Sequence, residues 1–335
     1  MLRKLLFLTL AITFVLAFEP GHEKESYIFS KFQEFLKKEN KRYTTIEEYM
    51  ARFNIFKANY MRLEAMTLSP DSKAKTYSVG INKFFDMTPQ EFRRTYLNLD
   101  IKVVDKIKAR SQGLTFSENS APASHDWRDH GAVGPVKDQG SCGSCWAFST
   151  VGNLEGLNYL KNNKFVQYSE QQLVDCDKID SGCNGGLMEN AYTYLQKAGG
   201  IETSADYRYT GRGQSCKFDK TKAALQVSGF VFAKSEDEEE IKEFLFTTGP
   251  LAIALNADPL QFYNGGVIDA DASECDPQGL NHGVTLVGYG SENGQDYWIV
   301  KNSWGTGWGE NGYFRMARGR GTCGINTYVV SATLQ

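Results

Sequence analysis

The chain has 335 residues, a length that exceeds one typical domain. Its net charge of −3 hides an uneven distribution, because residues 121–335 carry 17 Lys and Arg against 26 Asp and Glu, whereas residues 1–120 carry 20 against 14. An acidic second part argues against a nucleic-acid-binding protein, and two parts of opposite charge are expected to attract each other.

The N-terminus has the pattern of a secretory signal. Arg3 and Lys4 precede an apolar run, and the small residue Ala17 follows that run as the predicted cleavage point. The run is too short for a membrane span, which needs about 20 residues, and no later segment approaches that length. We therefore expect no membrane anchor, and we expect a protein of the secretory pathway that ends in a lysosome or vacuole, or outside the cell.

Residues 23–95 are predicted to be helical and contain no cysteine. Thr45 with Glu48, and Thr88 with Glu91, have the spacing of capping boxes at helix starts. Taken alone, this region could be an ordinary small helical domain or an adaptor without a catalytic role. After it the chain becomes polar and loses its periodicity, which predicts a linker that proteases can cut.

Cys145 follows a glycine-serine turn and begins an apolar helical run. The positive end of the helix dipole and the free backbone N–H groups there favour a thiolate, the nucleophilic form of cysteine. Cys142 lies three residues earlier, a spacing that also suits a zinc site or a disulfide. Zinc would need a second close pair of ligands, and neither a second CxxC nor an HxxxH is present.

The seven cysteines all follow residue 120. In an exported chain they predict a disulfide framework, and the odd number leaves one thiol free. Six cysteines can pair in 15 ways, which the spacing alone does not resolve.

A nucleophilic thiolate needs a base and a group that orients the base. His282 opens a run of small and apolar residues typical of a buried strand, whereas His125 and His130 lie in a polar stretch predicted to be a surface loop. A lone strand histidine is more often a hydrogen-bonded core residue. Asn302 follows the next strand and could accept a hydrogen bond from the imidazole, with Trp304 as cover.

The rest of the second part starts with helices and ends with strands, which predicts an α+β architecture. Helices are expected after Ser169, over residues 187–197, and after Ser235, where Ser235 and Glu238 would form a capping box. The predicted strands are 250–255, 283–289, 297–301 and 313–317. The glycines of 305–312 lack the lysine and hydroxyl of a phosphate loop, so a nucleotide site is not expected.

Several motifs together resemble the papain-like cysteine peptidases of the cathepsin L-like subfamily. They are Cys-Gly-Ser-Cys-Trp at 142–146, Asn-His-Gly at 281–283 and Asn-Ser-Trp-Gly at 302–305. The first part resembles the inhibitory prosegment of that family. Its interspersed pattern is matched by Glu48, Arg52, Phe56 and Asn59, but Leu63 and Thr67 depart from it; its second motif is matched by Gly80, Asn82, Phe84 and Asp86.

The resemblance implies a papain-like two-lobe α+β fold, with a helical lobe, a β-barrel-like lobe and a cleft between them. The implied divisions are a signal peptide at 1–17, an inhibitory propeptide at 18–120 and a peptidase domain at 121–335. Cys145 would be the nucleophile, His282 the base, Asn302 its orienting group and Gln139 an oxyanion donor. The implied disulfides are Cys142–Cys183, Cys176–Cys216 and Cys275–Cys323.

The resemblance also implies a substrate cleft. Its residues would be Gly185, Gly186, Leu187, Met188, Ala254, Leu280, Tyr328 and Trp304. Because the pocket for the P2 side chain (the second residue before the cleaved bond) has no charged member, leucine or valine should bind best and arginine worst. Tyr328 would close the pocket floor, unless its hydroxyl turns outward to water and leaves the pocket deep.

We therefore expect a monomeric endopeptidase that is made as a zymogen. Its partners are protein and peptide substrates and its own propeptide, and no metal or other cofactor is expected. An exopeptidase would need an inserted loop that blocks one end of the cleft, and none is seen between Cys145 and Cys183. A non-enzymatic relative acting as an inhibitor would show a substitution at one of the three catalytic positions. None is substituted, because the chain has Cys145, His282 and Asn302.

Overall fold

The computed structural model describes residues 20–68, 75–99 and 120–335. The predicted signal peptide and most of the predicted linker lie outside these residues. No helix in the described ranges is long and apolar enough to cross a membrane.

The described residues contain seven helices and nine strands, five of which the sequence does not predict. The helices are α1 (Pro20–Lys38), α2 (Ile46–Leu68), α3 (Pro89–Tyr96), α4 (Cys145–Asn162), α5 (Glu170–Cys176), α6 (Met188–Ala198) and α7 (Glu238–Thr248). The strands are β1 (Tyr77–Val79), β2 (His125–Asp126), β3 (Val227–Phe232), β4 (Leu251–Leu255), β5 (Tyr263–Ile268), β6 (His282–Glu292), β7 (Gln295–Lys301), β8 (Tyr313–Ala317) and β9 (Tyr328–Leu334). Short 3-10 turns lie between them, one of them at Asp258–Phe262.

The strands form one sheet in the order β1-β5-β8-β7-β6-β4-β9-β3, and β2 also pairs with β6. Every pair is antiparallel except β5 with β8. Side chains of a strand alternate between the two faces of a sheet. Along β4, Leu251, Ile253 and Leu255 therefore enter one apolar core, while Ala252 and Ala254 enter another. The second core includes α4 and α6, so the sheet separates a helical side from the rest of the domain.

The region predicted to be the propeptide is a small, mainly helical unit with an aromatic core. Helices α1 and α2 pack together through buried phenylalanines such as Phe32 and Phe56. Thr88 and Glu91 form the reciprocal capping box at the start of α3 that the sequence predicts. The aromatic core extends onto the peptidase domain, where Phe85 lies 5.1 Å from Phe262 between ring centroids.

Three local predictions are wrong. Residues 23–95 are not helical throughout, because Tyr77–Val79 forms strand β1 against β5. Helix α7 is capped by Asp237, whose carboxylate accepts from the N–H of Glu239, while the Ser235 hydroxyl donates to Glu240. Asp, like Ser, is a strong N-cap residue, and the sequence offers both within three positions. His125 lies in β2 rather than in a surface loop, because β2 pairs with the apolar strand β6.

Candidate active site

Cys145 is the first residue of α4 and is completely buried. The N-cap side chain of Ser144 does not bond the helix; its hydroxyl meets that of Tyr209 at 2.7 Å. The first N–H groups of α4 are thus not used by a capping side chain and face the thiol region. The Cys142–Cys183 disulfide holds the preceding turn, Cys176–Cys216 and Cys275–Cys323 are also formed, and Cys145 is the free cysteine.

His282 begins β6 and is also completely buried. Its Nε2 lies 2.9 Å from Oδ1 of Asn302, which directly follows β7. An amide oxygen only accepts, so Nε2 carries the proton and Nδ1 keeps its lone pair. Among the described residues Nδ1 has no hydrogen-bond partner. The ring stacks on Trp304 at 4.7 Å between centroids.

The start of α4 packs directly against the start of β6. The backbone N–H of Gly283, next to His282, donates to the Cys145 thiol. A Cβ at Gly283 would lie 3.3 Å from the Cα of Trp146, so a side chain there would require the two elements to shift by a few tenths of an ångström. Ser149 donates to the carbonyl of Val284 at 2.6 Å and fixes the contact one helical turn later.

Gln139 lies beneath the same turn. Its Oε1 accepts from the Ser303 hydroxyl at 2.7 Å, and its Nε2 donates to the carbonyl of Cys142 at 3.0 Å. A carboxamide has two N–H donors, so one donor of Gln139 is left for another acceptor. The structure thus brings the four predicted catalytic residues to one place.

A propeptide segment after α3 covers this place. The backbone N–H of Asn98 donates to the Cys145 thiol, and its carbonyl oxygen would lie only 2.2 Å from a Cβ on Gly185. Leu99 forms a parallel bridge with Gly186 and donates to the carbonyl of Asn281 at 3.2 Å. Gly185 therefore lets the segment lie flat against the peptidase domain.

Covering the site changes its protonation. Burial raises the pKa of the Cys145 thiol, although N–H groups of Gly283 and Asn98 oppose the change. Burial also lowers the pKa of His282 to about 4, against the opposing hydrogen bond of Asn302. Both shifts favour the neutral forms over the thiolate–imidazolium pair expected for an active site, because burial disfavours charge.

The predicted P2 pocket forms one apolar cluster. Its members are Leu187, Met188, Ala254, Leu280 and Tyr328, and Leu99 of the propeptide packs in the same cluster. The Tyr328 hydroxyl does not reach water, because it donates to the buried carboxyl of Glu189. Burial raises the pKa of Glu189 to about 7. The sequence does not predict this acidic group, since nothing local shows that the first turn of α6 points inward.

An aromatic clamp holds the propeptide over the site. Phe84, Phe92 and Tyr96 surround Trp304, with Phe84 at 5.0 Å between centroids. The ion pairs that cross from the propeptide to the peptidase domain include Arg93–Asp258, Lys83–Asp138 and Lys75–Glu274. Phe84 is completely buried and packs, together with the Trp304 ring that covers His282, in the main apolar core of the peptidase domain.

A buried charge cluster lies behind the site. Lys137 donates to Glu155 and Glu170, both at 2.7 Å, and the two carboxylates are 1% and 3% exposed. Burial raises the pKa of Glu170 and lowers that of Lys301 nearby. These groups line a cavity of about 20 Å³ that also touches Asn302. No cluster of His, Cys, Asp and Glu suited to a metal ion occurs within the described ranges.

Comparison with known proteins agrees with this geometry. The family described as papain family cysteine protease matches residues 121–333, and the cathepsin propeptide inhibitor domain matches residues 32–92. The chain belongs to the papain family of cysteine proteases. It is a peptide hydrolase made with an inhibitory propeptide, and it has the papain-like α+β fold that its motifs imply.

Relatives from plants and insects span almost the whole chain. Cysteine proteinase 15A of Pisum sativum is 45% identical over 89% of this chain and 84% of its own length. Cathepsin F of Drosophila melanogaster is 40% identical over 93% of this chain and 52% of its own. The solved structure of digestive procathepsin L2 proteinase from the larval midgut of Tenebrio molitor, 37% identical, covers 92% of this chain and 100% of its own with a TM-score of 0.85. This papain-family chain therefore resembles proteins of both the cathepsin L and cathepsin F types.

Proposed function

We propose that this papain-family protease is an endopeptidase that cleaves peptides through a thioacyl-enzyme formed on Cys145. The observation that carries the proposal is the position of His282. Its Nε2 is held by Asn302, and its Nδ1 has no hydrogen-bond partner among the described residues. The next residue, Gly283, donates its backbone N–H to the Cys145 thiol. These contacts support the assignment of Cys145 as nucleophile, His282 as base and Asn302 as orienting group, the set that nucleophilic catalysis requires.

Departure of the Tyr96–Leu99 segment lets water and substrate reach the site. The Cys145 proton then moves to Nδ1 of His282, giving a thiolate at the start of α4, where the helix dipole favours negative charge. The thiolate attacks the carbonyl carbon of the peptide. The oxyanion that forms accepts from the backbone N–H of Cys145 and from the remaining N–H of Gln139.

Collapse of this intermediate breaks the C–N bond. The His282 imidazolium gives its proton to the leaving amine, and the acyl group stays on sulfur as a thioester. Water then attacks the thioester, His282 takes the water proton, and the acid product leaves with the thiol regenerated. Asn302 keeps the ring in one orientation through both halves, and Trp304 covers the Asn302–His282 hydrogen bond.

The P2 side chain is proposed to enter the apolar cluster where Leu99 now packs. A leucine already packs among these residues in the zymogen, which supports a preference for leucine or valine. Tyr328 is buried with its hydroxyl bonded to Glu189, which supports a short pocket that disfavours phenylalanine. The Glu189 carboxyl is shielded by the Tyr328 ring, so arginine at P2 finds no accessible partner and binds worst.

The propeptide is proposed to keep the enzyme latent until the chain is cut near residue 120. It does so by filling the cleft, which also holds Cys145 and His282 neutral. Acidification protonates carboxylates and weakens the ion pairs between the two parts, so processing should speed up as pH falls. We propose a signal peptide at 1–17, a propeptide at 18–120, and a monomeric peptidase at 121–335 that acts in a lysosome or vacuole or after secretion.

The test is Cys145→Ala in the full chain, with Ser141→Ala as a control at a nearby exposed residue. Cys145→Ala should fold, be secreted and keep its propeptide, yet lose peptide hydrolysis, whereas the control should process normally. Alkylation of the mature wild-type protein, followed by peptide mass spectrometry, should label Cys145. Hydrolysis by Cys145→Ala within tenfold of the wild-type rate would disprove the assignment.

A further inference from the structure

One carboxylate accepts three hydrogen bonds from the two residues where the proposed peptidase domain begins. Glu243 Oε1 accepts from the backbone N–H of Ala121 at 2.8 Å. Its Oε2 accepts from the Ser120 hydroxyl at 2.7 Å and from the Ser120 N–H at 3.2 Å. All three donors are neutral in the uncut chain, although a carboxylate pairs more strongly with a cation.

The surroundings of Glu243 hold its side chain in place and keep it ionised. It lies on α7, is only 6% exposed, and Ala121 packs on the main apolar core beside the helix. Hydrogen bonds from Ala121 and Ser120 outweigh burial and lower the pKa of Glu243, which keeps it ionised. The neighbouring cation, Lys242, forms an ion pair with Glu239. Tyr289 of β6 is the nearby phenol.

We propose that Glu243 is the binding site for the new N-terminal ammonium group of the mature enzyme. Hydrolysis of the bond between Ser120 and Ala121 consumes one water, converts the Ala121 nitrogen into an ammonium and leaves a carboxylate on Ser120. The ammonium forms at the place where the amide nitrogen now lies, 2.8 Å from Oε1. Its hydrogen bond to Glu243 becomes an ion pair without any movement of the chain.

The same cut favours release of the propeptide end while the new N-terminus stays bound. The Ser120 carboxylate forms next to Glu243 and repels it, so the end of the propeptide is driven away while the new N-terminus is held. A cut one residue earlier would also be accepted, since the Ser120 nitrogen lies 3.2 Å from Oε2. A cut farther back would place the ammonium beyond the reach of Glu243. The site therefore favours mature chains that begin at Ser120 or Ala121.

This inference rests on the proposed cleavage next to Ala121, and it is tested on chains that cannot digest themselves. Full-length Cys145→Ala, Cys145→Ala with Glu243→Gln, and Cys145→Ala with Glu240→Gln are each cut by wild-type mature enzyme. Glu240 is the matched control, because it is exposed on the same helix and its side chain meets Ser235 instead. N-terminal sequencing identifies the first residue of each product.

The readout is carbamylation of the new α-amino group by cyanate at pH 7, followed by mass spectrometry. Only the neutral amine reacts, and a rise of about one unit in the α-amino pKa lowers its neutral fraction about tenfold. The N-terminus should react about tenfold more slowly in the parent and in Glu240→Gln than in Glu243→Gln. Thermal unfolding adds a second readout: Glu243→Gln should lower the Tm of the cut form more than that of the uncut zymogen.

Each contrary outcome is decisive. Equal carbamylation in the Glu243 and Glu240 variants, or equal losses of Tm in cut and uncut forms, would show that Glu243 only ties down a loop. A mature chain that starts well before Ser120 would also overturn the proposal. Neither result bears on the peptidase reaction, because hydrolysis of peptide substrates by the wild-type enzyme in the same experiment tests that separately.

Discussion

Phe84→Ala should uncover the catalytic thiol of the zymogen. Phe84 is completely buried, with ring centroids 4.9 Å from Phe92, 4.7 Å from Tyr96 and 5.0 Å from Trp304. Truncating a buried phenylalanine to alanine costs about 3–5 kcal/mol. The contacts of Phe84 with Phe92 and Tyr96 lie within the propeptide and can persist when the propeptide leaves the cleft. We therefore assign at least about 2 kcal/mol of the cost to contacts that opening breaks, such as the one with Trp304. Opening should therefore increase about 30-fold at least.

The assay is alkylation of Cys145 by iodoacetamide in the full-length zymogen at pH 7.5. When closing is faster than alkylation, the rate is proportional to the opening equilibrium constant. Intact mass spectrometry separates alkylated zymogen from processed chains, so only unprocessed molecules are counted. Tyr27→Ala removes an aromatic ring that is 52% exposed and should change the rate less than twofold. An increase below fivefold for Phe84→Ala would refute the view that the aromatic clamp covers the thiol.

Three further outcomes are expected. Tyr328→Ala should raise kcat/KM for phenylalanine at P2 and barely change it for valine, and it should admit arginine better than the wild type, because uncovering Glu189 removes the burial that raises its pKa and leaves a carboxylate for the guanidinium; Tyr328→Phe should do neither. Lys137→Ala leaves two buried carboxylates unpaired and should lower the free energy of unfolding by about 3–5 kcal/mol. Calorimetry should show a fall in Tm of about 6–20 °C that becomes smaller at low pH, where the carboxylates are protonated; an unchanged Tm would contradict this. Arg93→Gln removes one exposed ion pair with Asp258 and should speed Cys145 alkylation by about fivefold at most, with less dependence on salt than wild type; a larger effect than Phe84→Ala would reverse the ranking of the two contacts.

Features that depend on a short stretch of sequence could be predicted. A helix start next to a cysteine, a histidine that opens an apolar strand and an asparagine after the next strand are local patterns, and the structure brings Cys145, His282 and Asn302 together. The capping box at Thr88 is likewise contained within four residues. The three disulfides required the family resemblance, because spacing alone leaves 15 pairings open.

Features that depend on distant partners could not be predicted. Glu189 meets Tyr328 across 139 positions, and Lys137 meets Glu155 and Glu170 across 18 and 33. A charged residue in the sequence is usually solvated, and only the packing of other elements shows that these three carboxyls are buried. The N-cap of helix α7 was predicted wrongly for another reason. Ser235 and Asp237 are competing N-cap residues, and local spacing does not decide between them.

Release of the propeptide also changes an edge of the sheet. In the zymogen β1 pairs with β5, so Tyr77 lies opposite Gly266 and Ser78 opposite Gly265. Once β1 has left, β5 carries unpaired backbone groups, and an exposed strand edge is a template for aggregation. Gly266 has a φ of +92°, which interrupts the extended backbone in the middle of β5. The mature enzyme would thus expose only a short, bent edge, a poor partner for the extended chains that a protease meets as it works.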